Sequence, residues 1–474
     1  MTSRTWDKDK HAAANDALSY LKTAVKTIGV RGARLDQACK FMPKVQTRDR
    51  EKSKRAKNKK GRPSLDRIAE DEGEEDGRIR SLYAGKEALW SNAEDFWSVV
   101  GWAFNCSVVH KHRWERWKVW LDFMLDVLSS DLGVRAAEGT VEQCMLAHYL
   151  RPIGEGRNSK RRLMRAVLAD GGQKSIAEFG EIWKTETKLP KTKKEDERHS
   201  KKRKLDLENG EFGDYFDNDS DIDSPAATSL PHSRSASAFP PSRASRAPSG
   251  DLEDRDNDNP TTSNGKLTGI ASFGGVDSIN IRKRLLALLV RFCHLSPTTF
   301  LDTEDLFDLY TEFLRPLPLP VFQPLVFSAS SRQSSWLGPN EQSGLDQMLL
   351  RPLLASAAPA YNDNALTQSD FERHYAQYAA NTTSASDNAK VGLLVEDLLR
   401  LLWKNGDLVY SEKLRKAVEK GIKARTDKVA FDGRRKTGAK AKEDEEAAML
   451  MEGSGERMLA CLDMIRVTTY VASV

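Results

Sequence analysis

Six of the chain's ten tryptophans fall between Leu89 and Leu128, and their spacing limits what this stretch can become. Trp90, Ala93, Trp97, Val100 and Phe104 recur at steps of three and four, the helical period. The "NCS" at Asn105–Ser107 offers a turn. A second helix then carries Trp114, Trp117, Leu121, Met124 or Leu125, and Leu128, widened by Trp120, Phe123 and Val127. Apolar faces this broad cannot stand alone in water, so the spacing predicts an αα-hairpin packed on further helices. The rings are assigned to packing. The interleaved Lys111, His112, Arg113, Arg116 and Lys118 are assigned to an outer, solvated face.

The same period runs through the rest of the chain. Ala17, Leu18, Leu21, Ala24, Val25 and Ile28 form one face, closed by Gly29 and Gly32. Thr140 is an N-cap candidate for a helix that Pro152 ends. "SKRRLMRAVLADGG" and "SIAEFGEIWK" are short helices. Further on, "INIRKRLLALLVRFCHL" is predicted helical up to Ser296-Pro297, and "DTEDLFDLYTEFL" has acids at its start, where the helix dipole favours them. Thr367 and Asp370 sit at capping-box spacing. "AKVGLLVEDLLRLLWKNG" is the strongest helix and stops at Gly406. The basic run "KGIKARTDKVAFDGRRKTGAKAK" is predicted to be a mobile loop, and a last helix runs through Leu459, Leu462 and Ile465. No fixed-period repeat is present, so a TPR or ankyrin array is not supported. The expectation is an all-α, irregular helical array or bundle, HEAT-like stacking among its forms, with long disordered basic and acidic insertions.

Composition sets where the insertions fall. Only 39% of the 474 residues are hydrophobic and 30% are charged, more polar than a compact domain of this size. Net charge is just +5, but it is blocked. Eight basic residues between Arg50 and Arg62 precede an acidic block at Glu70–Asp76. Residues 186–277 are first charged, then rich in Ser, Pro, Ala and Asp. Such stretches bury too little apolar surface to offset chain entropy. The expected organisation is a helical region over 1–185 with a disordered loop at 46–80, a disordered linker over 186–277, and a helical region over 278–474.

Five scattered cysteines without a CxxC pair suit a reducing compartment. The first residues lack the apolar core of a secretory signal, and the longest apolar runs are too short for a bilayer. An intracellular protein without membrane association is expected.

Recognition signals lie in the polar stretches. Lys193-Lys194 and Lys201, Lys202, Arg203 and Lys204 form two basic groups at the spacing of a bipartite nuclear import signal. "NKKGRPSL", with Lys59, Lys60, Gly61, Arg62 and Pro63, resembles the core of an AT-hook. That resemblance implies minor-groove contact with A·T-rich DNA. Ser220, followed by acids, and Ser224, before Pro225, are phosphorylation candidates. Cys106, His110, Cys144 and His148 have paired i, i+4 spacing, yet it matches no known zinc finger, and no metal is assigned. "LLRLL" at Leu398–Leu402 reads as a buried helix face. No GxxxxGK[ST], GxGxxG, GxSxG or HExxH occurs. No enzyme activity, cofactor or small-molecule substrate is therefore assigned. The expectation is a nuclear scaffold or adaptor in a chromatin- or DNA-associated complex. It would dock protein subunits through helical surfaces and attract DNA by non-specific electrostatics. The alternative is an RNA-associated factor in ribosome assembly or RNA processing; a motif-free helical enzyme is a third reading.

Overall fold

In the computed structural model, residues 8–41, 88–184, 186–187, 269–327, 337–354, 359, 366–430 and 438–472 are described. Helices are their only regular secondary structure; the chain is all-α.

In the first segment, α1 is Lys8–Gly32, α2 Phe96–Val109, α3 Lys111–Ala137, α4 Met145–Leu150 and α5 Arg157–Val167. In the second, α6 is Val276–Leu295, α7 Thr303–Leu314, α8 Leu319–Val326 and α9 Pro339–Leu354. α10 is Ala385–Asn405, α11 Glu412–Ala430 and α12 Ala439–Ala472.

Helix α2 is the hub, buried from Phe96 to Ser107. Asp95 starts it, its carboxylate accepting from the Ser98 amide at 2.6 Å, and Arg162 of α5 clamps that carboxylate at 2.8 Å. At Gly101 the Phe179 ring sits where a Cβ would be, 2.3 Å away, so only glycine lets the two approach. The tryptophan rings are core: Trp97, Trp102, Trp114 and Trp117 are each 3% exposed or less. Phe96 stacks on Tyr149 and Trp117 on Trp183.

Several local expectations are corrected. The turn lies at His110, not at "NCS". Asn105 is buried, its carboxamide bonding Phe179 O, Gly171 N and Ser175 Oγ, which keeps the helix going. Trp90 belongs to a separate turn, Leu89–Asn92, because Asp95 begins a new helix. Thr140 caps nothing. Cys144 does, its Sγ accepting from Ala147 N, while Asp131 accepts from Met145 N. Ile28 is 58% exposed rather than packed. The predicted loop over Lys420–Lys442 is helical at both ends, in α11 up to Ala430 and in α12 from Ala439, with residues 431–437 outside the described residues; the buried line of α11 is Leu414, Val418, Gly421 and Arg425. Steps of four, three and four make a stripe too narrow for composition to register, and the fully buried Arg425 belongs to it.

Both segments belong to one compact unit and share its main buried cluster, beside which a smaller one forms around Leu319, Ala389, Leu393 and Ala447. Arg282 of α6, fully buried, joins them: its guanidinium donates to Val167 O and Ala169 O at 2.5 and 2.8 Å and lies 4.0 Å over the Phe104 ring. Burial pulls its pKa down to about 9. Buried structure also reaches past the composition boundaries at 185 and 278, since Glu186 and Phe273 are both buried. In the second segment α10 lies along α12, tied by a bidentate Arg457–Glu396 pair at 2.7 and 2.8 Å.

Candidate functional site

Helices α3 and α6 run in the same direction. Lys118 pairs with Asp277, Arg284 with Asp122 and Asp126, and the Arg291 guanidinium lies beside Gly133. Each step advances about two turns on both helices. Where the start of α9 meets this pair, a groove of about 510 Å³ opens.

Its floor is Leu125 of α3, Leu288 and Val290 of α6, and Leu337 just before α9. Leu295 stands at its mouth, 39% exposed. The polar rim is uneven. Arg284 is neutralised by its two aspartates, and Glu341 lies on the α9 side. Arg291 and His294 are exposed, and neither has a hydrogen bond or ion pair among the described residues. The groove therefore offers apolar contact with one cationic edge. It suits an apolar side chain flanked by a carboxylate.

A second polar cluster is closed to ligands of that size. Asp346 of α9, fully buried, accepts from Gln342 Nε2 at 3.0 Å and lies within hydrogen-bonding reach of Asp397 of α10. No donor reaches Asp346 Oδ2, and a proton shared between the two carboxyls would offset their repulsion. Burial first, then the neighbouring Asp397 charge, pushes the Asp346 carboxyl well above the usual carboxylate range. Lys283 donates to Pro324 O and Phe327 O beside this pair, and burial pushes it down to about 8.

A third cluster explains the ring spacing. Glu186, with a fully buried side chain, accepts from Trp102 Nε1 at 3.0 Å, from Trp117 Nε1 at 2.9 Å, and from Arg113 at 2.9 and 2.6 Å. Arg113 is thus not a solvated charge, as its place between the rings suggested. It neutralises the acceptor on which two indoles converge.

Lys59, Lys60, Gly61, Arg62, Pro63, Lys193, Lys194, Lys201, Lys202, Arg203, Lys204, Ser220 and Ser224 all lie outside the described residues. Cys106 and Cys144 are buried, with Cys144 serving as a helix cap, and no group of three or more His, Cys, Asp or Glu among the described residues could hold a metal. No described helix is long and apolar enough to cross a membrane. The groove went unread in the sequence, although Arg284, Leu288, Arg291 and Leu295 recur at steps of four, three and four on one face of α6. No protein-family model, no curated protein and no solved structure matches this chain.

Proposed function

We propose that the protein is a nuclear scaffold or adaptor in a chromatin- or DNA-associated complex, and that it holds a protein partner in the groove between α3, α6 and α9. One observation carries the docking half: an apolar floor that ends on the Arg291 guanidinium and the His294 ring, neither with a side-chain partner among the described residues. An amphipathic helix bearing leucine-like anchors beside acidic residues fills both features, as in helix-in-groove recognition. The compartment half is supported by the paired basic clusters at Lys193-Lys194 and Lys201–Lys204.

A photo-crosslinking residue at position 295 of the full chain, expressed in cells, tests the groove. Nuclear, DNA-associated proteins should be trapped, and the Arg291→Glu variant should trap at least several-fold less at unchanged circular dichroism. Equal trapping by the variant defeats the docking half. Replacing Lys201, Lys202, Arg203 and Lys204 by Ala should move a tagged chain to the cytoplasm; persistent nuclear accumulation defeats the compartment half.

A further inference from the structure

Helix α11 is amphipathic in an uncommon way. Its buried line is Leu414, Val418, Gly421 and Arg425, and the opposite face presents Lys413, Lys416, Lys420 and Lys423, all exposed. The backbone fixes that orientation. At Gly421 an added Cβ would lie 1.9 Å from Ala376 O, and Arg425 donates to Tyr378 O at 3.0 Å from inside. The lysine face therefore points outward from a close backbone contact.

The charge on this face is poorly compensated. Lys416 and Lys423 have no ion pair or hydrogen bond among the described residues. Lys413 reaches Glu372 and Lys420 reaches Gln377, and both stay exposed. Exposed Arg373 stands in the adjoining turn, with no side-chain partner among the described residues. Glu419 is taken by Arg415, and Glu412 accepts from the Tyr410 hydroxyl, which leaves Asp427 as the one acid within the lysine face, at its far end. Lysines three and four apart on one face repel, which weakens the helix by a few tenths of a kcal/mol per pair. Within α11 there are seven Lys or Arg against three Asp or Glu. Such a face gains most from an external polyanion.

We propose that the outer face of α11, with Lys416, Lys420 and Lys423 at its centre and Arg373 at its edge, binds the phosphate backbone of duplex nucleic acid. The proposal rests on the nucleic-acid-associated reading above, but it uses none of the groove residues, so either can fail alone. At a rise of 1.5 Å per residue, Lys413 to Lys423 spans roughly 15 Å. Duplex DNA carries a charge every ~1.7 Å of axis, so several phosphates lie within that span. A line of flexible ammonium groups on one rigid helix gives contact without base readout. Sequence-independent, salt-sensitive binding is the expected behaviour.

The test uses the full chain in a background where Lys59, Lys60, Arg62 and Lys201–Lys204 are replaced by Ala, so that the remaining binding reports the folded surface. Fluorescence anisotropy with a 30-base-pair DNA duplex and the matching RNA duplex is measured from about 50 to 200 mM salt. Lys416→Glu/Lys420→Glu/Lys423→Glu should weaken binding about tenfold or more and flatten the log–log salt slope by about 2 to 3. The matching triple glutamine variant, with no added acid, should show a smaller loss at an unchanged circular dichroism spectrum. Whichever duplex binds more tightly names the source of the phosphates. Unchanged affinity and slope in both variants would overturn the proposal, as would tighter binding to phosphatidylserine vesicles than to either duplex.

Discussion

Helices α5 and α11 are both crowded with cations, and they use them in opposite ways. On α5, Arg157 and Arg161 reach Glu312 of α7, Arg162 reaches Asp95, and Arg165 reaches Glu178 at 2.7 Å. Lys160 lies over the Phe300 ring. Every cation from Arg157 to Arg165 meets a partner on the fold, and three of them, Arg157, Lys160 and Arg161, do so across the junction between the segments. On α11 the lysines face water, while its two arginines turn inward or sideways, Arg425 to Tyr378 O and Arg415 to Glu419 and Asp463. The planar guanidinium suits fixed, multidentate contacts, and the hydrated ammonium suits an exposed position. In both helices the arginines dock, whereas the α11 lysines, unlike Lys160 of α5, form an exposed face. Each prediction below probes one side of that division.

The largest effect should come from the most internal cation. Arg282→Ala strands two buried carbonyls, Val167 O and Ala169 O, and empties the space between the Phe104 and Phe273 rings. A loss of about 3–5 kcal/mol is expected, from unpaired polar groups and a cavity together. Denaturant unfolding of the full chain measures it. A loss under about 1 kcal/mol would show that the junction does not depend on this arginine.

Arg113 should come next. Its removal leaves the Glu186 carboxylate, with two indole donors and no counter-charge. About 2 kcal/mol is expected for Arg113→Ala, since the guanidinium side chain is itself only 12% exposed. Trp117→Ala, which also removes a ring stacked on Trp183, should cost more, about 3–5 kcal/mol. If Arg113→Ala unfolds like the parent, the arginine is a surface charge after all.

These residues mark how far the sequence could be read. The helical period placed Trp97 and Trp117 inward because periodicity reports burial directly. It could not place Arg113 or Arg282, whose partners lie 73 residues away at Glu186 and 115 at Val167. A buried arginine is invisible to a hydropathy pattern, and Arg425 is the plainest case: it sits in the basic run from Lys420 that reads as a loop, yet it is 1% exposed within α11. Helix starts at Asp302 and Thr367 were legible, because each cap bonds an amide three residues on. The cap at Cys144 was not, because a thiol is a rare acceptor for that position. The groove needed α3, α6 and α9 together, and their juxtaposition is long-range.

A prediction about pH separates buried acids from buried bases. Asp346 holds its proton in the folded chain far above the pH at which the unfolded side chain loses it. The folded state therefore binds more protons, and stability falls as pH rises from below the unfolded value, 3.8, toward the folded one. Asp346→Asn keeps an acceptor for Gln342 and removes the titration. Its Tm should exceed the parent's by a few degrees at pH 7 and converge with it toward pH 4. Between those limits Lys283 stays charged, because its pKa is about 8, and contributes no slope. Parallel Tm curves for parent and variant would remove the shared proton from the account.

The smallest effect is the sharpest test of the division between α5 and α11. Lys416, Lys420 and Lys423 are exposed, and Lys420 has only a 3.1 Å contact to Gln377 Oε1. Replacing all three by Gln should change stability by no more than about 0.5 kcal/mol, and relief of repulsion makes a slight gain the expected sign. The same number of substitutions on α5, Arg161→Gln/Arg162→Gln/Arg165→Gln, removes contacts to Glu312, Asp95 and Glu178. Of these, the Arg162 pair is the most enclosed, with side chains 28% and 26% exposed, and it supports the Asp95 cap. A combined loss of about 1–3 kcal/mol is expected there, since half-exposed pairs contribute about 0–1 kcal/mol each and the cap adds to it. Thermal melts of the two triple variants side by side decide the matter. Equal losses would mean that the α11 lysines, like the α5 arginines, serve the fold; a loss confined to α5 leaves the α11 face free for a partner.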